Sequence, residues 1–297
     1  MIKNFFDEHN INYKEEISLK NYNTYKINTN AKFLVYPSNE KELILILKKL
    51  KEDKIKYFIL GNGSNIIFSM DYYDGVIIKL DNLNHVEYYD DTVTVGAGCL
   101  LSKIALETVK KGYSGLIFAT GIPGTVGAST AMNAGAYNSD MSNVVKSVKV
   151  LNENNEIITL NNKDLMYTYR DSYLKSHKNL IVLSTTFKLT KDENIEDMKK
   201  QIEERCQKRI ATQPLNEPNA GSVFRNPDNM YAGELIEKSN LKGYNINGAE
   251  ISTKHANFIV NKGGATGKDI IELIKKVQKE IKEKYNVDLK LEQIIVE

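Results

Sequence analysis

The chain has 297 residues, of which 41% are hydrophobic and 26% are charged, so it has enough apolar material for the cores of two or three domains. Its 40 Lys and Arg residues nearly balance its 38 Asp and Glu residues, which argues against nucleic acid as a partner. The charged opening segment lacks the apolar stretch of a signal peptide, and no segment reaches membrane-spanning length. We therefore expect a cytoplasmic protein without a membrane partner.

The first ninety residues alternate strand and helix signals. Residues 33–36 and 55–60 predict strands, and Asn39 predicts the capped start of a helix between them. The second strand leads into the turn GNGSN at residues 61–65, and another strand is expected at residues 76–80. This order predicts a βαβ unit.

The middle of the chain predicts further strands and helices on either side of a segment of small residues at 115–137. The expected elements are a strand at 92–95, a helix at 101–111, a hairpin at 144–160, a strand at 180–189 and a helix at 196–209.

Beyond Pro214 the composition changes, which marks a separate domain. Here we expect a helix at 232–239, a strand at 256–260, a long helix that begins with a capping box at 266–269, and a terminal strand at 287–296.

Two strands run into G-x-G turns, Gly61-Asn62-Gly63 and Gly96-Ala97-Gly98. A dinucleotide-binding fingerprint needs a third glycine three residues further on, where this chain has Ile66 and Leu101, so the Rossmann interpretation fails. The amides of residues 63–65 could still contact an anion. A structural turn explains the first loop equally well.

The segment at 115–137 is crowded with Gly, Ala, Ser and Thr. Pro123-Gly124 suits a type II turn, Gly127-Ala128 leaves space around the backbone, and Asn133 with Gly135 repeats the pattern. Such a segment permits close contact between the backbone and a long ligand. The alternative is a tightly packed turn, which seldom needs so many small residues in succession.

The stretch NAGSVFRNP at residues 219–227 places Ser222 in a loop built of small and turn-forming residues. A serine nucleophile needs an adjacent base, but the nearest histidine in sequence is His255, and the G-x-S-x-G elbow of serine hydrolases is absent. Ser222 is therefore either a turn residue or a group that donates a proton.

Four motifs occur together and in order: GNGSN, GIPGTVG followed by NAGAY, Tyr169-Arg170-Asp171-Ser172, and AGSVFRNP. Together they resemble the UDP-N-acetylenolpyruvoylglucosamine reductase family, with a match that runs from about Asn23 to Glu297. The resemblance implies an α+β protein that combines the FAD-binding fold of the vanillyl-alcohol-oxidase / p-cresol methylhydroxylase type with a separate α+β substrate domain. It divides the chain into a first FAD-binding subdomain at 1–84, a second at 85–208 plus 288–297, and a substrate-binding domain at 209–287.

The same resemblance implies noncovalently bound FAD, NADPH as co-substrate, no metal, and a monomer. The expected FAD contacts come from two glycine-containing segments: Gly61, Asn62, Gly63, Ser64, Asn65, and then Gly121, Ile122, Pro123, Gly124, Thr125, Gly127, Ala128, Asn133, Gly135 and Ala136.

In that family NADPH reduces the flavin and leaves, and the reduced flavin passes hydride to the enolpyruvyl double bond of the UDP-sugar, which gives UDP-N-acetylmuramate for peptidoglycan. Hydride addition pushes negative charge into the substrate carboxylate, and the neighbouring carbon must then be protonated. Ser222 matches the family's proton donor, Arg170 its carboxylate clamp, and Glu292 its second polarising group.

Two of these side chains have a simpler explanation. Arg170 could be a surface arginine, and Glu292 could face water beside Asp288 and Lys290. If Glu292 acts, it must be protonated or hydrogen-bonded, because a bare carboxylate would oppose the charge it helps to stabilise.

For the substrate, the resemblance implies that Tyr169 lines the sugar pocket and that Arg225 and Asn226 meet the UDP moiety. Turn formation explains Asn226 nearly as well. Lys254 and His255 are weaker candidates, and a structural histidine is the better interpretation of His255.

This sequence departs from the family pattern in two places. Asn28-Thr29 stands where the family usually has a glycine pair, and Ile294 stands where many relatives have an arginine. The chain is also too short for the tyrosine-bearing loop of the longer subclass, so we assign the shorter one.

A noncatalytic flavin-binding protein is the alternative function. Such a protein would have no reason to keep Ser222, Arg170 and Glu292 together.

Overall fold

The computed structural model describes residues 2–297, which form two compact units. The first unit comprises residues 2–15, 33–62 and 74–204, and the second comprises residues 16–32, 63–73 and 205–297. Residues 288–297 thus belong with residues 205–287, whereas the sequence prediction groups them with residues 85–208. The division into three domains stays a prediction.

Eight α-helices lie in the described part of the chain: α1 (Ile2–Glu8), α2 (Glu40–Glu52), α3 (Leu101–Lys110), α4 (Val126–Ala131), α5 (Tyr173–Ser176), α6 (Ile195–Thr212), α7 (Ala232–Lys238) and α8 (Gly267–Tyr285). The strands are β1 (Asn12–Ser18), β2 (Asn30–Tyr36), β3 (Tyr57–Ile59), β4 (Ile66–Phe68), β5 (Tyr72–Ile78), β6 (Val86–Tyr89), β7 (Thr92–Gly96), β8 (Tyr113–Ser114), β9 (Gly135–Ala136), β10 (Ser139–Asp140), β11 (Val145–Leu151), β12 (Ile157–Asn161), β13 (Ile181–Lys188), β14 (Thr190–Lys191), β15 (Asn245–Ile246), β16 (Ala249–Ile251), β17 (Ile259–Asn261) and β18 (Ile294–Val296).

Two sheets in the described part of the chain have four or five strands. One has the strand order β1-β2-β5-β3, in which β3 and β5 run parallel with Tyr57 opposite Val76. The other has the order β12-β11-β13-β7-β6, and all of its pairs are antiparallel. Alternation of buried and exposed side chains, as at Val93 and Val95 in β7, gives this second sheet its apolar face.

Helix α2 of the first unit follows from local signals. The Asn39 side chain accepts a hydrogen bond from the amide of Glu42, so the predicted cap is present. Leucine and isoleucine side chains at helical spacing are buried in the core of this unit: Leu43, Ile46, Leu47 and Leu50.

The second unit combines the sheet β15-β16-β17 with helix α8 and the parallel pair β4-β18. The predicted capping box at the start of α8 is present, because Thr266 and Asp269 each accept a hydrogen bond from the other's backbone amide. The predicted apolar face of α8 is buried, with Ile270, Ile274, Val277 and Ile281 at most 3% exposed.

Two expectations differ from the structure. The terminal strand covers only Ile294–Val296 instead of residues 287–296, because residues 287–293 form no continuous ladder and only single backbone contacts join this segment to a loop. The small-residue segment at 115–137 contains the short helix α4, which Thr125 caps and which periodicity did not reveal. Its small side chains allow α4 to pack closely against strand β13.

Candidate active site

In the first unit, the turn after β3 lies against the small-residue segment. The Asn62 side-chain amide donates to the Pro123 carbonyl at 2.6 Å. A Cβ atom on Gly61 would lie 2.9 Å from Thr125 Oγ1 and 3.0 Å from Ala128 Cβ, so only glycine fits here without displacement. The ammonium group of Lys79, which is 8% exposed, donates to the Gly61 carbonyl at 2.9 Å and so helps to fix the turn.

Both segments, the turn at residues 61–62 and the small-residue segment that it contacts, have backbone amides without a hydrogen-bond partner in the described chain. Within residues 2–297, no acceptor pairs with the N–H groups of Gly61, Asn62, Gly124 and Thr125. Open amides beside glycines are the usual partners of phosphate oxygens. Residues 61–62 and 121–128 therefore fit the pyrophosphate of the FAD that the sequence predicts.

Arg170 sits in a tight turn of the first unit. Thr168 and Asp171 exchange two backbone hydrogen bonds of 3.1 Å, and Arg170 between them has a φ of 56°. Its guanidinium donates to the Gly135 carbonyl at 2.5 Å and lies 5.3 Å from the centre of the half-exposed Tyr169 ring. Arg170 is thus held beside residues 135–136 and is not a freely moving surface arginine.

Asn133 connects this turn to the small-residue segment through its side chain. The side-chain amide donates to the Thr168 carbonyl at 2.8 Å and to Asp140 at 3.2 Å, and its oxygen accepts from the Ser142 amide at 3.0 Å. Asn133 is 1% exposed. Its side chain is therefore occupied within the protein, and the predicted FAD contact at this position stays a prediction.

Sequence reasoning did not single out Tyr167, which precedes the arginine turn. Its hydroxyl is buried, has no hydrogen-bond partner within residues 2–297, and has a pKa raised by burial and by nearby Asp140. A buried hydroxyl without a partner is costly, so a bound molecule could supply the missing partner. No sequence pattern could have indicated this.

In the second unit, the serine loop (residues 219–225) is hydrogen-bonded to two other segments, one at Asn257 and one at Glu292. On one side the Val223 amide donates to the Asn257 carbonyl at 2.9 Å, and the Asn257 side chain bonds both the amide and the carbonyl of Phe224. On the other side the Glu292 amide donates to the Val223 carbonyl at 2.8 Å. These bonds bring the predicted residues Ser222 and Glu292 to the same part of this unit.

Ser222 itself is half-buried, and none of the described residues forms a hydrogen bond with its hydroxyl. Gly221 before it has a φ of 73°, which glycine adopts readily. The hydroxyl is thus available to another molecule, as the proton-donor interpretation requires.

The Asn65 side chain connects the loop at 63–65 to the same segment. The side-chain amide donates to the Glu292 carbonyl at 3.3 Å, and the backbone carbonyl of Asn65 accepts from the Ile294 amide at 2.9 Å. Two predicted site residues from distant parts of the sequence, Asn65 and Glu292, therefore lie together in the second unit.

The two predicted UDP contacts also belong to this unit. The Arg225 amide donates to the Lys290 carbonyl at 2.9 Å, which fixes its backbone. The Asn226 side-chain oxygen accepts from the Ala232 amide at 3.1 Å, so it satisfies the first amide of helix α7, whose N-cap residue is Tyr231. This supports the turn interpretation of Asn226, and its contact with UDP stays a prediction.

The weaker candidates have structural partners. His255 Nδ1 accepts from the Asn257 amide at 3.2 Å, and burial lowers the pKa of the imidazole, with the neighbouring Lys242 charge acting in the same direction. Lys254 donates to the Ile210 carbonyl. Thr29, which stands where the family usually has a glycine, is buried, and its hydroxyl donates to the Met70 carbonyl at 2.8 Å.

Within residues 2–297, no group of three His, Cys, Asp or Glu side chains is arranged to hold a metal ion. None of the helices in that part of the chain combines the length and hydrophobicity needed to cross a membrane.

Comparison with known families gives two matches along the chain. The model described as FAD binding domain matches residues 31–161, and the model described as UDP-N-acetylenolpyruvoylglucosamine reductase, C-terminal domain, matches residues 213–296. These matches and the mixed helix and strand content confirm the predicted α+β fold with an FAD-binding domain.

Full-length relatives carry the same name. The curated UDP-N-acetylenolpyruvoylglucosamine reductase of Caldanaerobacter subterraneus subsp. tengcongensis is 44% identical over 94% of this chain and 91% of its own length. That of Bacillus pumilus is 41% identical over 95% of this chain and 93% of its own length. The crystal structure of UDP-N-acetylenolpyruvylglucosamine reductase from Thermus caldophilus matches with a TM-score of 0.81 at 30% identity, over 97% of this chain and 99% of that one.

Proposed function

The chain belongs to the UDP-N-acetylenolpyruvoylglucosamine reductase family, and from this premise we propose that it uses NADPH and the residues described above to carry out the family's reaction. The reaction is the flavin-dependent reduction of UDP-N-acetylenolpyruvoylglucosamine to UDP-N-acetylmuramate, a step of peptidoglycan precursor synthesis. The preference for NADPH, the noncovalent state of FAD, the cytoplasmic location and the monomeric state stay predictions.

We propose that the open amides at 61–62 and 124–125 hold the FAD pyrophosphate, and that the other small residues at 121–136 let the backbone approach the cofactor. When bound, FAD supplies the hydride for the enolpyruvyl double bond. The protein's own part is to hold the substrate, to stabilise the charge that develops on its carboxylate, and to provide a proton.

Ser222 carries this proposal. Its hydroxyl has no partner within residues 2–297, and the backbone of the next residue, Val223, is hydrogen-bonded to Asn257 on one side and to Glu292 on the other. A neutral hydroxyl held in place near the carbon next to the carboxylate can act as a general acid without any adjacent histidine. This accounts for a serine loop that lacks a base.

Arg170 and Glu292 are proposed to act on the substrate carboxylate. A guanidinium presents two parallel N–H groups to a carboxylate, and Arg170 is already fixed by its bond to Gly135. Glu292 adds a second contact from a protonated or hydrogen-bonded carboxyl group, since a bare carboxylate would repel the developing charge. Tyr169, Arg225 and Asn226 are proposed to bind the sugar and the UDP moiety.

The test is an NADPH oxidation assay on the purified, FAD-loaded protein. We expect a yellow protein that oxidises NADPH slowly alone and much faster when UDP-N-acetylenolpyruvoylglucosamine is present. UDP-N-acetylglucosamine, which lacks the enolpyruvyl group, is the matched control. A protein that takes up no FAD, or that responds equally to both sugars, would contradict the proposal.

A further inference from the structure

Gln293 follows Glu292 directly, and its side chain enters the core of the second unit. It is 4% exposed. Its amide nitrogen donates to the Ala220 carbonyl at 3.0 Å and to the Gly221 carbonyl at 3.3 Å, and its oxygen accepts from the Tyr25 hydroxyl at 3.0 Å. All three polar positions of the amide are therefore used inside the protein.

Tyr25 is the other half of this arrangement. Its side chain is fully buried, and its backbone carbonyl accepts from the Asn261 side chain at 2.8 Å. Burial raises the pKa of Tyr25 well above its usual value, so the hydroxyl stays neutral and keeps donating to Gln293. The buried tyrosine thereby fixes which way the Gln293 amide points, with its nitrogen toward the serine loop.

The serine is thus bracketed by two consecutive residues of the C-terminal segment. The Gly221 carbonyl before Ser222 accepts from the Gln293 side chain, and the Val223 carbonyl after it accepts from the Glu292 backbone. Gly221 has a φ of 73°, and a Cβ atom added to it would meet no other part of the protein within 4 Å, so no side chain packs against this face of Gly221. Two hydrogen bonds constrain it instead: the Gly221 amide donates to the Asn219 side chain at 3.0 Å, and the Gly221 carbonyl accepts from the Gln293 amide at 3.3 Å.

We propose that Gln293, oriented by Tyr25, is a positioning residue that sets the Ser222 hydroxyl relative to the Glu292 carboxyl. This inference rests on the proposed function, because it assigns no contact with substrate to Gln293. Positioning within a fraction of an ångström controls proton transfer, since small displacements cost large factors in rate.

The test compares the two half-reactions of the FAD-loaded protein by stopped-flow absorbance. Gln293→Met keeps the length of the side chain and removes both donors and the acceptor. We expect flavin reduction by NADPH to stay within about twofold of wild type, and reoxidation by saturating UDP-N-acetylenolpyruvoylglucosamine to slow by about tenfold or more. Tyr25→Phe, which removes one oxygen atom, is the milder second variant, and it should slow only reoxidation, by a smaller factor.

The matched control is Val277→Ala, which removes buried apolar atoms from helix α8 of the same unit. It should lower the melting temperature without separating the two half-reactions. The inference would be overturned if Gln293→Met slowed both half-reactions equally. It would also be overturned if Gln293→Met and Val277→Ala, at similar melting temperatures, had the same rates of flavin reduction and reoxidation. If Gln293→Met does not fold, the same two comparisons are made with Tyr25→Phe. A wild-type protein that the substrate does not reoxidise would overturn the proposed function and this inference with it.

Discussion

The amide of Glu292 donates a hydrogen bond of 2.8 Å to the carbonyl of Val223, and this bond joins the C-terminal segment to the residue that follows Ser222. Successive side chains of an extended segment point to opposite sides. Gln293 occupies the buried side, whereas Glu292 is only partly buried. The arrangement places Glu292 and Ser222 in the same part of the second unit, and the Ser222 hydroxyl is available to a bound molecule.

Replacing Ser222 by alanine should separate the two half-reactions. Flavin reduction by NADPH needs no serine proton and should stay near the wild-type rate, while reoxidation by the substrate should slow by about a hundredfold or more, as for loss of a general acid. Stopped-flow absorbance measures both rates. Cysteine at this position should restore part of the reoxidation rate.

The structure also predicts that Ser222→Ala stays stable. Because no described residue bonds the hydroxyl, its removal breaks no hydrogen bond within residues 2–297, and the melting temperature and FAD content should barely change. Equal slowing of both half-reactions would make Ser222 a loop residue.

Replacing Arg170 by alanine should lower substrate-driven turnover by about a hundredfold or more while FAD is retained, because the guanidinium is lost where charge develops. Lysine should restore only part of the rate, since a point charge cannot form two parallel bonds to a carboxylate. Steady-state kinetics and the flavin spectrum give both quantities.

The control for Arg170 is Lys175→Ala. The Lys175 ammonium donates to the Arg170 carbonyl at 3.0 Å, so this variant loosens the same turn and leaves the guanidinium in place. It should reduce turnover far less than Arg170→Ala. Equal losses in the two variants would show that only the shape of the turn matters.

Much of the fold could be predicted because its signals are local. The caps of α2 and α8 and their apolar faces involve residues three or four positions apart, and both helices form as expected. The prediction of a terminal strand is wrong over residues 287–293, because whether alternating residues pair into a ladder depends on distant segments that alternation does not reveal.

The site was predictable only in part. Motif resemblance proposed Ser222, Arg170 and Glu292 as site residues, but it could not show that Gln293 and Tyr25 meet, because they lie at opposite ends of the chain. Asn133 illustrates the same limit. Its side-chain partner at Thr168 lies far along the chain, so the sequence could not show that this side chain makes internal hydrogen bonds. Its contact with FAD stays a prediction.

Asn133→Ala tests that assignment. Removing a buried side chain with three hydrogen-bond partners should lower the free energy of unfolding by about 2–3 kcal/mol and weaken substrate turnover through the arginine turn. Asn138→Ala is the control, since Asn138 also has a positive φ, of 58°, but is exposed. Chemical denaturation measures both. A loss of FAD affinity without a loss of stability in Asn133→Ala would favour direct contact with the cofactor instead.

His255 should make the stability of the protein depend on pH. Burial holds the pKa of the imidazole below its ordinary value of 6.5, and Nδ1 can accept from the Asn257 amide only while it is unprotonated. A histidine with a lowered folded-state pKa stabilises the fold above the unfolded pKa, and this contribution is lost as the pH falls through the folded pKa. The melting temperature should therefore fall on acidification below about pH 6.5.

In His255→Asn, where an amide oxygen can accept the same hydrogen bond without titrating, this fall in melting temperature should be smaller. The exposed His85 provides the control, and His85→Asn should leave the profile unchanged. An undiminished fall in His255→Asn, measured by thermal melts between pH 7.5 and 5, would place the pH dependence elsewhere in the protein.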